Sequence, residues 1–192
     1  MPIPVPLIRQ RLVDKRIYKQ SLAEGFSDVA SRIIASREIS NKANTIRQAI
    51  MPSLYDIETP NTLNDIDIAV DTLISAIGTN AVSLLLCDYD SDGNSSMAVL
   101  YRGLLMLGFK KENLMQMSAH RHIEGYGISN KLVDRILSLT PRPELIITAD
   151  NGSSNEESIA RLKANKISTL VSDHHALLNG PPPSAIAVVN PI

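Results

Sequence analysis

The sequence predicts an α/β fold, a mostly parallel sheet with helices on both faces, preceded by N-terminal helices. Two observations carry that prediction. The runs Ala81 to Cys87, Glu144 to Ala149 and Ile167 to Ser172 are almost continuously apolar, the pattern of strands buried on both faces rather than on one. Helix-like segments separate successive runs, and strand and helix alternate at the spacing of right-handed crossover units.

In chain order, residues from about Ile8 to Arg47 mix aliphatic side chains with frequent charges and contain no proline, which suits a few surface helices. The domain expectation is a helical extension over 1–60 and an α/β domain over 61–192. Pro52 and Pro60 bracket an irregular stretch, and Asn61 or Thr62 is placed to cap a helix running through Ile77. Ile66, Val70, Leu73, Ile74 and Ile77 recur at helical steps and give that helix an apolar face. The first buried strand follows at Ala81 to Cys87, then a helix from Ser95 to Leu107 closed by Gly108. A short strand is expected over Leu114 to Ser118 and a helix over Ser129 to Leu137. Pro141 and Pro143 break the chain before the strand ending at Ala149. Ser153 to Ala164 is again helical, and the strands Ile167 to Ser172 and Ala185 to Val189 complete the series.

Composition narrows the function. Lys and Arg total 19 against 20 Asp and Glu, a net charge of -1, so no global field points to nucleic acid and such a partner must be argued from a local site. Aromatic residues make up 4%, which disfavours rows of base-stacking rings. Cys87 is the only cysteine, which excludes an internal disulfide and fits a reducing cytosol. The apolar opening Met1 to Pro6 is short and proline-rich, unlike a signal peptide. No apolar run approaches the roughly 20 residues of a membrane span. The expectation is a cytoplasmic protein with no membrane partner.

Three strands end in acidic clusters: Asp88-Tyr89-Asp90-Ser91-Asp92-Gly93, Asp150-Asn151-Gly152 and Asp173-His174-His175. In a parallel sheet these ends share one edge, where such folds place ligands. Carboxylates gathered there repel one another unless a cation neutralises them. Oxygen donors with one or two imidazoles suit Mn²⁺, with Mg²⁺ as the other choice, in one or two ions. A calcium loop starting at Asp88 is excluded, because its twelfth position is Val99 where a bidentate Glu is required. Asp90, Asp92, Asp150, His174 and His175 are the candidate catalytic residues. In that reading Asp150 bridges the metals, His174 ligates, and His175 contacts phosphate or donates a proton. Arg121 and the Gly125-Tyr126-Gly127 loop, together with Ser95 and Ser96 where a helix begins, are candidates for holding substrate phosphate.

The strings CDYDSDGNSS (87–96), HRHIEGYGIS (120–129), LIITADNGSS (145–154) and SDHHALLNGPPPSAIAVVNP (172–191) together resemble the DHH phosphoesterase superfamily, and within it the RecJ-type single-strand-specific exonucleases. The resemblance extends upstream over 54–77. It implies metal binding at Asp90, Asp92, Asp150 and His174, with Asp88 and Asp173 as ligands or their neighbours. It places His175 at the phosphate and Arg121 with Gly125, Tyr126 and Gly127 on a loop facing nucleic acid. It also implies Mn²⁺ or Mg²⁺ as cofactor, 5′ to 3′ degradation of single-stranded DNA, and a place in DNA repair and recombination. Cys87, His120 and Ala149 depart from the residues usual in that family.

The family also has a fourth aspartate motif and a second domain further downstream, so the expectation is a truncated catalytic half. That half would be partly active, or complemented by a chain supplying the second domain or by a repair or replication protein. Two alternatives stand beside it: a phosphoesterase acting on short oligonucleotides or cyclic dinucleotides, and a fragment that binds metal, nucleic acid or a repair partner without turnover.

Overall fold

The computed structural model describes residues 11–37, 45–53, 55 and 57–192. The opening Met1 to Pro6 segment, the expected helical residues 8–10 and 38–44, and positions 54 and 56 of the upstream string lie outside them. The chain divides into two compact units, Met1–Glu58 and Thr59–Ile192.

In the first unit α1 (Lys15–Ala23), α2 (Asp28–Ala35) and α3 (Ile46–Ile50) each begin at a side-chain cap. Asp14 accepts from the N–H groups of Arg16 and Ile17, Ser27 from Ala30, and Thr45 from Gln48, each satisfying amides that a helix start leaves unpaired. Glu24 adds a non-local cap, its carboxylate accepting from Ile46 N at 3.2 Å and Arg47 N at 2.7 Å. Ile34, Ala35 and Ile46 are buried inside this unit.

The second unit is a five-stranded parallel sheet in the order β2-β1-β3-β4-β5. Its strands are β1 (Ser83–Cys87), β2 (Leu114–Ser118), β3 (Leu145–Ala149), β4 (Ser168–Ser172) and β5 (Ala187–Val189). The helices are α4 (Ile66–Thr79), α5 (Ser91–Leu107), the single turn α6 (Arg121–Glu124), α7 (Asn130–Leu137) and α8 (Glu156–Ala164). Alternate strand residues fill two cores. Leu84, Leu86, Ile146 and Val171 pack with Leu132 and Ile136 of α7 and Ile159 and Leu162 of α8. Leu85, Leu145, Ile147 and Leu170 pack with Ala69 and Ala76 of α4 and Leu104 of α5. Leu84, Leu85 and Leu86 are wholly buried, each contributing about 1.5–3 kcal/mol. The helices thus cover both faces, as the sequence predicts.

Several boundaries differ from expectation: α8 begins at Glu156 rather than Ser153, β5 at Ala187 rather than Ala185 and β1 at Ser83 rather than Ala81, and the starts of α4 and α5 move as well. Pro60 opens only a 3-10 turn through Thr62, Leu63 turns extended, and α4 starts at Ile66 behind Asp65, whose φ is 55°. Asp65 Oδ2 instead accepts from Val188 N at 2.9 Å and so ties α4 to β5. Helix α5 starts four residues earlier than Ser95, because Asp90 caps it through Gly93 N. Gly108, with φ 111°, ends it as expected.

Candidate metal centre

The order β2-β1-β3-β4-β5 reverses direction between β1 and β3, and ligands of such sheets bind in the crevice beyond the strand ends at that point. The ladder carries the acidic residues into register there. Cys87 is paired with Ala149, and beyond that pair Asp88 N donates to Ala149 O, Asp150 N to Ser172 O at 3.0 Å and Asp173 N to Val189 O at 3.1 Å. Asp88, Asp150 and Asp173 are therefore the first residues past three adjacent strands, all buried.

Two sets of donor atoms result, one from Asp88, Asp90 and Asp150 and the other from Asp150, His174 and His175, each with its atoms within 4.8 Å of one another. Asp150 belongs to both. Its φ of 64° is a left-handed conformation rare for a residue with a side chain, and such strain clusters at functional sites. Burial, with the nearby charge of Asp92, raises the Asp150 carboxyl above its ordinary range, against the hydrogen bond from His174. Three or more carboxyl groups converging on imidazole nitrogen form a hard, mainly oxygen donor set of the kind that Mn²⁺ or Mg²⁺ takes. The residues present fit such an ion. His174 Nε2 lies 2.8 Å from Asp150 Oδ1 and 3.8 Å from Asp92 Oδ2. Asp92 stands outside both sets, exposed on the first turn of α5, its carboxyl held below the usual range chiefly by a hydrogen bond with that of Asp90.

Asp173 gathers donors from the residues around it. Its Oδ1 accepts from the N–H of His174 at 2.7 Å and of His175 at 3.2 Å and lies 2.7 Å from His175 Nδ1, while Oδ2 accepts from Ser153 N at 2.9 Å. Burial pushes this carboxyl up, but those hydrogen bonds outweigh it and hold it low. His175 is correspondingly raised, chiefly by its hydrogen bond with Asp173. Its Nε2 lies 3.1 Å from Tyr126 Oη, so the Gly125-Tyr126-Gly127 loop reaches the site through its tyrosine. Gly125 and Gly127 have φ of 86° and 67°, and a Cβ on Gly127 would come within 2.9 Å of the Asn155 amide. Arg121 is exposed, and its guanidinium stands 5.2 Å from the ring of Tyr89, next to Asp88.

Ser95 and Ser96 line a cavity of about 460 Å³ with Asp92, Val99, Asp150 and His174. They sit in the second turn of α5, and Ser95 Oγ donates back to Ser91 O, so the helix start belongs to Ser91 to Gly93, where Asp90 already takes the Gly93 N–H, and not to them. A smaller cavity of about 240 Å³ opens beside Tyr126, Ser153, His175 and Leu178.

Sequence reasoning missed four contributors. Gly93 lies so close to the loop that a Cβ would come within 2.5 Å of Asp88 O. Thr148 Oγ1 donates to Asn151 O and accepts from Ser172 N, bracing the turn after β3. Asn190 donates to Ser153 Oγ and His175 O. Glu124 forms a largely buried ion pair with Arg135 at 3.2 Å and accepts from His120 N, fixing the turn that carries Arg121. Only the glycine after an acidic run and the polar residue after an apolar strand gave any signal.

Among the described residues no helix is long and apolar enough to cross a membrane. Residues 83–192 match the profile of the DHH family, N-terminal domain. The single-stranded-DNA-specific exonuclease RecJ of Haemophilus influenzae is 32% identical over 83% of this chain and 26% of its own length. The protein of that name from Salmonella typhimurium is 34% identical over 67% of this chain and 22% of its own. A crystal structure of exonuclease RecJ bound to manganese superposes with a TM-score of 0.61 at 30% identity, covering 70% of this chain and 33% of that one. The Thermus thermophilus RecJ structure with Mn²⁺ has a TM-score of 0.58 at 22% identity and covers 95% of this chain, which shows the shared fold. This chain thus spans about a quarter of the length of those curated relatives. With the strand-end aspartates and the Asp-His-His string in the matched region, the chain belongs to the DHH family and carries its N-terminal domain in a RecJ-like form.

Proposed function

We propose that this chain forms the catalytic half of a metal-dependent phosphodiesterase that degrades single-stranded DNA from its 5′ end, with Mn²⁺ or Mg²⁺ as cofactor. The observation that carries the reading is Asp150, buried, backbone-strained and common to both donor sets. The RecJ-named relatives, single-strand-specific by their names, supply the substrate class.

In this proposal Asp88, Asp90 and Asp150 would hold one ion, and Asp150 with His174 would hold a second, Asp92 standing within reach of His174. When bound, such ions supply a nucleophilic water at neutral pH and neutralise charge on the phosphate. The chain's own groups do the rest. Asp173 sets the His175 ring, and His175 Nε2, released from Tyr126, faces the scissile phosphate and gives a proton to the leaving oxygen. Arg121, carried over Tyr89, offers a guanidinium fork to a neighbouring phosphate. Ser95 and Ser96 line the cavity on the Asp92 side and offer hydroxyls to the strand. The site is open on that side, with Val99 72% exposed, and we assign its cover to a further protein segment, in this polypeptide or a partner. The organisation proposed is a helical extension to about residue 60 followed by the DHH domain.

The test is a Mn²⁺ titration of cleavage on 5′-labelled single-stranded DNA by the wild type and Asp150→Ala. Turnover that needs Mn²⁺ and disappears in the variant is expected; equal cleavage by both proteins overturns the assignment.

A further inference from the structure

Asn190 is the first residue past β5, as Asp88, Asp150 and Asp173 are the first past β1, β3 and β4, and it is 3% exposed. Its Nδ2 donates both hydrogens, to Ser153 Oγ at 2.8 Å and to His175 O at 2.9 Å, and its Oδ1 accepts from Ile192 N at 2.9 Å. Ser153 in turn donates its N–H to Asp173 Oδ2, and Asp173 Oδ1 lies 2.7 Å from His175 Nδ1. One side chain thus grips His175 twice, by its backbone carbonyl and, through Ser153, by the carboxylate that orients its ring. We infer that Asn190 is a positioning residue that fixes the His175 imidazole from the fifth strand; the role assigned to His175 in the reaction rests on the function proposed above.

The requirement is specific to a planar amide. Ser153 Oγ and His175 O are both acceptors for the two hydrogens of one nitrogen. Aspartate has the same shape but places oxygen against the His175 carbonyl, and alanine leaves that carbonyl without its donor and takes from Ser153 Oγ the hydrogen it accepts. Partners that orient a metal-ligating histidine lower activity by about 10- to 100-fold when removed, and the same scale is expected for one that orients His175.

The experiment follows the four histidine rings of the full chain by long-range proton–nitrogen spectra, metal-free and at one fixed pH, in wild type, Asn190→Asp and Asn190→Ala. Displaced or exchange-broadened His175 ring signals are expected, with those of His120 and His122 unmoved. In the cleavage assay kcat falls about 10- to 100-fold with KM within about twofold. Unchanged His175 signals in both variants overturn the inference. Should the Asn190 variants fail to fold, seen as collapse of the His120 and His122 signals, Ser153→Ala removes the Asn190–Ser153 bond together with the Ser153 hydroxyl's own bond to Asp173, and keeps the Ser153 N–H to Asp173. It is expected to move the His175 ring, and an unmoved ring overturns the inference. The spectra need neither DNA nor metal, so an inactive wild type would count against the proposed function and leave this result standing.

Discussion

His174 Nε2 and Asp150 Oδ1 lie 2.8 Å apart, although 23 residues, one helix and one strand separate them between 150 and 174. That approach follows from β3 and β4 running parallel with their ends in step, and it makes Asp150 the acid on which the other donors converge. Burial and the charge of Asp92 both oppose ionised Asp150, so the metal-free site stores repulsion that a cation relieves.

Asp150→Asn removes that charge and keeps an acceptor for His174. In metal-free buffer the variant is expected to unfold at a higher temperature than the wild type, by about 2–4 °C if the relief amounts to about 1 kcal/mol. Thermal scans with chelator present check it; addition of Mn²⁺ then raises the wild-type midpoint and leaves the variant's unchanged.

Gly93→Ala drives a methyl group to within 2.5 Å of Asp88 O. Backbone stands on the far side of that clash, so the loop must shift. The expected loss is about 1–3 kcal/mol in urea unfolding, together with weakened Mn²⁺ binding, since Asp88 and Asp90 sit on the displaced segment.

Cys87 is wholly buried, and burial, aided by the charge of Asp150, pushes its thiol up to about 12. The thiolate is the reactive form. A disulfide reagent at pH 8 is expected to leave the native protein unlabelled and to modify one thiol per chain once the protein is unfolded; rapid native labelling would show that the β1 end opens.

Glu24 is lowered from its usual value chiefly by the Arg47 N–H. A carboxyl whose folded pKa lies below its unfolded one stabilises above the unfolded value, and that contribution is lost as pH falls through the folded one. Far-UV acid titration is therefore expected to show Glu24→Gln less helical than wild type at neutral pH, the difference vanishing in acid as Glu24 protonates.

Much of this was legible in the residues. β2 occupies Leu114–Ser118 as its apolar pattern indicates, and the three strand-end clusters meet because parallel strands share one edge. The start of α5 was not legible, because Asp90 is at once an acidic-cluster residue and the helix cap, and local pattern gives the cap to the serines that follow. Asp173 is expected from the sequence as a ligand or a neighbour of the ligands, and the hydrogen bonds its oxygens accept from His174, His175 and Ser153 come from residues whose placing no local pattern shows. Asn190 was invisible for a different reason: its partners lie 37 and 15 residues away, and only the placing of β5 beside β4 brings them together.

The most direct measurement is the binding of Mn²⁺ itself, counted by electron paramagnetic resonance on the isolated chain. Saturable uptake of one or two ions by the wild type, lost on Asp150→Ala, is the predicted result. A wild type that leaves all its Mn²⁺ free in solution would contradict the claim that these carboxylates are gathered around a cation.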